Sequence, residues 1–481
     1  MYLELDGKGP RYAQITRALR GALLDGRLGI GGRIPPSRTL ARELGVSRNT
    51  VVSAYEQLRA EGYLEGRVGA GSYVVATAAP RRRAAKPPEG PLAPSSRYVR
   101  RARREAERRA AAPRVMDQGL RYNLQYGTPY ANPALTTGWA RALARAARRT
   151  SPDYPMIRGL PALRTQVADY LARRRGVQAS PDDVLIVNGT QQALALTARV
   201  LLEEGDVAVL EDPHYFGARQ VLNAHGARIV GVPVDDDGLV CAKLPATAPK
   251  LVFVTPSHQF PSGTVLSLPR RFELLSYALA QKCYVAEDDY DSEFRYDVRP
   301  IAALRALDAH DRVIYIGTFS KALFPALRLG YMVLPAALRE DFIAAKWLAD
   351  FGCSAIEQAA LAEFIGDGSF ERHLRHAART LGERRQTLLD ALARHAGARI
   401  AVRGANAGMH LVAWLPGLSI AQTTQLVARC RERGLGVYAL APHYLDASAA
   451  QAALLLGYAG IAKAEIEPAI RLLGQCLAEF R

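Results

Sequence analysis

Residues 317–330 read Gly-Thr-Phe-Ser-Lys-Ala-Leu-Phe-Pro-Ala-Leu-Arg-Leu-Gly, with a lysine between apolar segments and an arginine seven residues after it. A lysine on apolar surface usually lays its stem over its neighbours and keeps its charge in water. A lysine held near other cations and apolar walls instead loses its proton readily, and can form a Schiff base with a carbonyl compound while a nearby arginine holds a phosphate. This segment alone does not separate the two readings, so the rest of the chain must decide.

Upstream, apolar β-branched runs alternate with helical stretches from about residue 121 onward: DVLIVNG, DVAVLED, ARIVGVPV, KLVFVTP, CYVAEDDY and RVIYIGTF. Such alternation predicts a mostly parallel sheet covered by helices, with ligands beyond the carboxyl ends of the strands. Four of those ends carry residues that one cofactor would use together. In DVLIVNGTQQALAL a strand, a turn and a helix follow one another, so the amides of Gly189, Thr190 and Gln191 open a helix in a manner suited to phosphate. After VLED, Tyr215 offers an aromatic ring near that turn. Glu287, Asp288 and Asp289 are consecutive acids on an otherwise apolar strand. A buried carboxylate needs a partner, and one opposite a protonated pyridine nitrogen would have one and would keep that nitrogen positive. Adjacent side chains on a strand point to opposite faces, so Asp289 is an alternative to Asp288. Tyr290 could then reach a ring hydroxyl. The fourth end is the opening segment, with Lys321 as the Schiff-base lysine and Thr318 and Arg328 as phosphate ligands.

The first quarter of the chain has a different character. The net charge is +17, and residues 1–76 hold eleven Lys and Arg against seven Asp and Glu, while residues 77–114 hold twelve against three. A basic segment beside a small domain suits a polyanion, because neutralising phosphates releases counterions. Ile15, Leu19 and Leu23 or Leu24 have helical spacing, and Gly29, Gly31 and Gly32 end the pattern. After Pro35-Pro36 a short helix to Leu44, a turn at Gly45-Val46 and a helix capped by Ser47 give helix-turn-helix spacing, with Val51, Tyr55 and Leu58 on one face. YLEGRVGAGSYVV predicts a two-stranded wing. Residues 77–120 predict a Pro-, Ala- and Arg-rich linker whose second half forms a basic helix on contact with DNA or with the next domain.

Residues 1–76 resemble the winged helix-turn-helix of the GntR superfamily. On that resemblance Arg38, Arg48 and Thr50 contact DNA, and Gly71 lets the wing approach a phosphate. Residues 121–481 resemble a fold-type I pyridoxal phosphate (PLP) aminotransferase, with a smaller C-terminal α+β subdomain from about residue 365. The phrases TPSHQFPSG, EDDYDSEFRY and GTFSKALFPALRLG, joined to a GntR-type head, resemble the MocR/GabR regulators. The resemblance implies that Lys321 forms the internal aldimine, Asp288 pairs with the pyridine nitrogen, Tyr290 contacts the ring hydroxyl and Tyr215 stacks on the ring. Gly189, Thr190, Gln191, Thr318 and Arg328 hold the phosphate. Tyr154 matches a tyrosine that reaches the partner subunit's phosphate, which implies a homodimer in which the head of one subunit packs on the aminotransferase-like domain of the other.

Two departures qualify this. The family's Asn-Pro-Thr-Gly is Phe260-Pro261-Ser262-Gly263 here, leaving His258 or Gln259 to replace the asparagine, and the arginine for a substrate carboxylate is missing between Gln451 and Ile461, with Arg403 a weak substitute. The expectation is therefore a PLP-dependent regulator that binds operator DNA and responds to PLP or to an amine or amino acid; a working aminotransferase with a localising head is the alternative. Five scattered cysteines without a CxxC pair argue against disulfides and structural zinc and suit a reducing cytoplasm. No run approaches the ~20 apolar residues that span a bilayer, and the first residues do not read as a secretory signal.

Overall fold

A computed structural model describes residues 3–67, 71–75, 95–110, 119–296 and 301–480. The chain forms two compact units, Met1–Ser95 and Ser96–Arg481.

In the first unit, helix α1 (Arg11–Leu24) buries Ile15, Leu19 and Leu23, one per turn. Helix α2 (Ser37–Leu44) ends at Gly45, whose φ of 64° lets the chain leave the helix in the left-handed region. Ser47 then caps helix α3 (Arg48–Ala60), its hydroxyl accepting from the Thr50 amide at 3.2 Å. Val51, Tyr55 and Leu58 pack inward with Leu40 of α2, and the Tyr55 hydroxyl donates to Pro35 O at 2.7 Å, tying the start of α2 to α3. Strands β1 (Leu64–Arg67) and β2 (Gly71–Val74) pair antiparallel, from Leu64 opposite Val74 to Arg67 opposite Gly71. Only Leu64, Ser72 and Val74 of this hairpin are buried, so one face closes the core and the other is open. The tip of the predicted wing, 68–70, lies outside the described residues.

The second unit begins with helix α4 (Arg97–Ala110) and is built on an eight-stranded sheet. Its strands are β3 (Val184–Val187), β4 (Val207–Asp212), β5 (Arg228–Asp235), β6 (Gly238–Leu239), β7 (Leu251–Val254), β8 (Tyr284–Asp289), β9 (Val313–Thr318) and β10 (Gly330–Val333), in the order β3-β10-β9-β8-β7-β4-β5-β6. Neighbours from β9 to β5 are parallel, whereas β10 runs against both β9 and β3. Strands β3, β7, β9 and β10 are buried at every position, as their unbroken apolar sequence requires of a sheet covered on both faces. Helices α5 (Thr190–Leu201) and α6 (Phe216–His225) follow β3 and β4. The reversal at β10 pairs Thr318 with Gly330, so the segment between them, including the four-residue helix α7 (Phe319–Ala322), closes on itself at the carboxyl end of the sheet.

The basic helix α4 docks on α6. Tyr98 meets His225 edge-on at 5.2 Å, Arg101 donates to Ala224 O and to Glu204 at 3.0 Å each, and buried Glu105 accepts from Asn223 at 3.3 Å. Residues 77–94 and 111–118 of the predicted linker lie outside the described residues. The long helix α8 (Ser369–His395) leads into a four-stranded sheet of β11 (Ala401–Arg403), β12 (His410–Trp414), β13 (Tyr438–Ala439) and β14 (Ala453–Gly457), in the order β11-β12-β14-β13.

Candidate functional site

Strand β8 delivers its three acids into three environments. Glu287 is turned into the protein, and its carboxylate accepts from the amides of Leu304 and Arg305 at 2.8 Å each. Asp289 is buried with Arg175, which donates from Nε at 2.7 Å, and with the Tyr315 hydroxyl at 2.5 Å. Arg175 also donates to Ser257 Oγ and Ile301 O, so this buried charge pair is held from several sides. Asp288 alone lines a cavity of ≈ 280 Å³ at the carboxyl end of the sheet, and its Oδ1 is buried without a partner. Burial, reinforced by neighbouring Asp289 and Asp291, pushes the Asp288 carboxyl up to about 8.

The other residues singled out in the sequence meet Asp288 there. Lys321, from α7, donates to Gly127 O, and burial lowers its pKa while Asp291 and Asp288 pull the other way. Thr318 caps α7 by accepting from the Ser320 amide at 3.1 Å and lines the cavity itself. Arg328 sits in the left-handed region (φ 52°) and donates to Asn188 O at 2.9 Å. Its guanidinium lies over Gly189, where an added Cβ would come within 3.3 Å of Nη2. Gly189 (φ 79°) precedes α5, whose first-turn N–H groups, with Thr190 and Gln191, face the same opening. Tyr215 is edge-on to Phe260 at 5.7 Å, and Gln191 donates to its hydroxyl at 3.4 Å.

Tyr154 is not brought to this cavity: it is 84% exposed, near Phe351. The proposed substitutes for missing family residues are also elsewhere. Gln259 is spent on its own turn and on the end of the neighbouring strand, donating to Phe260 O and Pro213 O at 2.8 Å and accepting from the Ser262 amide. His258 stands behind Tyr290, its Nδ1 2.9 Å from the Tyr290 hydroxyl and 3.0 Å from Asp291. Arg403 donates to Asp236 at the surface and lies over the Trp414 ring.

Sequence reasoning did not find Tyr126, Gly127, Asp291, Met409 and His410, which also line the cavity. They come from two remote segments and from one position beyond the acidic run. Buried His258, Asp291 and His410 also place one potential metal-ligating atom each within 4.8 Å of one another. In the first unit Arg38 and Arg48 are exposed, while the Thr50 hydroxyl lies 2.8 Å from Ser47 Oγ and belongs to the cap. Gly71 has φ 111°, and a Cβ there would meet Arg33 Nε at 3.0 Å, so the glycine makes room for an arginine beside the wing that the sequence had not singled out.

Together these describe a winged helix-turn-helix unit joined to an aminotransferase fold with a polar pocket at its strand ends. Residues 11–74 match the bacterial regulatory proteins of the gntR family, and residues 123–473 match aminotransferase class I and II. The chain is 37% identical to the probable rhizopine catabolism regulatory protein MocR of Rhizobium meliloti, over 96% of this chain and 92% of that one. It is 34% identical to the transcriptional regulator TauR of Rhodobacter capsulatus, over 90% of each. It is 32% identical to the pyridoxine biosynthesis regulator PdxR of Corynebacterium glutamicum, over 92% of this chain and 91% of that one. Among solved structures, the α-aminoadipate aminotransferase LysN of Thermus thermophilus, complexed with N-(5'-phosphopyridoxyl)-L-leucine, aligns with a TM-score of 0.69 at 30% identity, over 78% of this chain and 97% of that one. The chain belongs to the MocR-type transcriptional regulators, which join a GntR helix-turn-helix domain to a class I/II aminotransferase domain.

Proposed function

We propose that this regulator holds PLP in the cavity and converts the binding of PLP, or of an amine reacting with it, into a change of affinity for operator DNA. The observation that carries the reading is the unpartnered carboxylate oxygen of Asp288, on a residue that lines the same cavity as Lys321, Thr190, Gln191 and Arg328. Each residue fits PLP. Asp288 is a buried acid without a cation, and the pyridinium nitrogen is one; ionising against it relieves the burial that now holds the proton on. The first-turn amides of α5, Thr318 and Arg328 offer the donors a phosphate dianion needs. Tyr290 reaches the ring hydroxyl with His258 and Asp291 fixing its own, and Tyr215 supports the ring.

Bound PLP supplies an electrophilic carbon that a primary amine can attack. The chain's part is to present the Lys321 amine: burial favours its neutral, nucleophilic form, and the bond to Gly127 O orients its lone pair. On the DNA side, Arg38, Arg48 and Thr50 on α2 and α3, with Gly71 at the wing, form the reading surface. Ligand control requires that the effector bind one arrangement of the protein more tightly than another. A homodimer in the cytoplasm completes the reading; the exposed apolar group Tyr154, Met156, Trp347, Leu348 and Phe351 supports a subunit interface.

Purified protein should develop a visible absorbance band with PLP that borohydride fixes, and PLP or amines should shift its affinity for promoter DNA. No band on saturation removes the cofactor reading. Many turnovers with amino-acid and keto-acid pairs, with no effect on DNA binding, would establish the aminotransferase instead.

A further inference from the structure

The cavity has more lining than PLP uses. Beyond the cradle just described, its wall includes Tyr126, Phe260, Met409, His410, Asp291 and Thr255. Among the described residues that line it, Arg328 is the only arginine, and it is bound to Asn188 O at the phosphate end. An amino acid held at the Lys321 side needs a cation for its carboxylate, because an ionised group taken from water without a partner is strongly disfavoured.

Among the described residues the other candidate cations are engaged elsewhere. Buried His410 is spent on the wall itself, its Nε2 3.2 Å from Pro261 O and its ring against His258 and Phe260, and burial pushes His443 behind the wall down to about 4. His443 is in any case used between Tyr126 and His214 O. Arg403 points to Asp236 at the surface. The region of β14 where the family arginine was sought is Leu454-Leu455-Leu456, wholly buried in apolar clusters with Val412, Tyr438 and Leu440. What the wall does carry is a carboxylate, Asp291, both of whose oxygens lie 3.0–3.1 Å from His258 Nδ1. It repels a second anion and attracts a cation or hydroxyl.

From this we infer that the effector is a primary amine without a carboxylate: an aliphatic or aromatic amine, amino alcohol or diamine, with the remainder of the molecule against Tyr126, Phe260 and Met409 and any polar group toward Asp291. The inference rests on the proposed PLP-binding reading and narrows the ligand class within it.

The test uses amino acids and their decarboxylated counterparts, which differ only in the group at issue: tyrosine and tyramine, ornithine and putrescine, serine and ethanolamine. Each is titrated into full-length PLP-loaded protein while the visible spectrum is followed. We expect the decarboxylated member to shift the band at concentrations at least about tenfold lower than its amino acid in one or more pairs. Equal response of both members in every pair, preference for the amino acid, or no response to either class overturns the inference while the PLP band itself leaves the cofactor reading standing. Absence of that band before any amine is added is the separate failure of the cofactor reading.

Discussion

Asp288 and Asp289 are adjacent in the chain, and strand geometry sends them to opposite faces of β8. The sequence could not choose between them, because the partner that distinguishes them, Arg175, is 114 residues away from Asp289 and belongs to no motif. Replacing Arg175 by methionine should leave Asp289 charged, buried and unpaired and lower stability by about 3–5 kcal/mol, measurable by urea denaturation. Asp288→Asn should do the reverse in the cofactor-free protein. The folded chain holds the Asp288 proton to about pH 8, while the unfolded chain releases it near 3.8. Folded protein therefore binds more protons across that interval, and the stabilising contribution present at low pH is lost as pH rises. The asparagine variant lacks this loss, so its stability advantage should grow from about pH 4 to pH 8 in parallel denaturation curves. The same substitution should weaken PLP binding by at least about tenfold, since a neutral amide cannot answer a pyridinium charge. Lys321→Ala should keep the fold and lose the borohydride-reducible adduct; mass spectrometry showing an adduct on the variant would refute the assignment.

Elements were more legible than side-chain partners. Apolar runs of four to six residues declared β3, β7 and β9, and Ser47 declared the start of α3 through its capping chemistry, because these signals are local. The strand ends followed, and with them Lys321, Asp288, Thr318 and Arg328. Tyr126, Met409 and His410 were not legible: they enter the cavity because β12 and the chain near residue 125 are brought over the sheet by tertiary packing, which leaves no periodicity at those positions. Gln259 shows the converse, a polar residue in a suggestive motif whose side chain is consumed by backbone groups of its own turn and of Pro213. At this scale the prediction concerns α3. Arg48 is exposed at its first turn and, among the described residues, makes a long 3.5 Å contact to Ser37, so Arg48→Ala should weaken promoter binding in an electrophoretic shift assay, reduce its salt dependence, and leave the cofactor spectrum unchanged.

For the molecule as a whole, the surface at Tyr154 and Trp347–Phe351 sets the expected state in solution. Leu348 is 85% exposed beside Trp347, itself 54% exposed. Leu348→Glu should shift the proposed dimer toward monomer in sedimentation velocity, because a charge buried in an apolar interface has no compensation; an unchanged sedimentation coefficient would remove this surface as a subunit contact. The pairing of Thr318 with Gly330 has a consequence of its own. Lys321 and Arg328 both sit on a loop of main chain that this pairing closes, with the Phe319 N–H donating to Leu329 O at 3.2 Å just inside it, so the two proposed handholds should be let go together. Heating should discharge the coenzyme in a single step, at the temperature where that loop opens and not before.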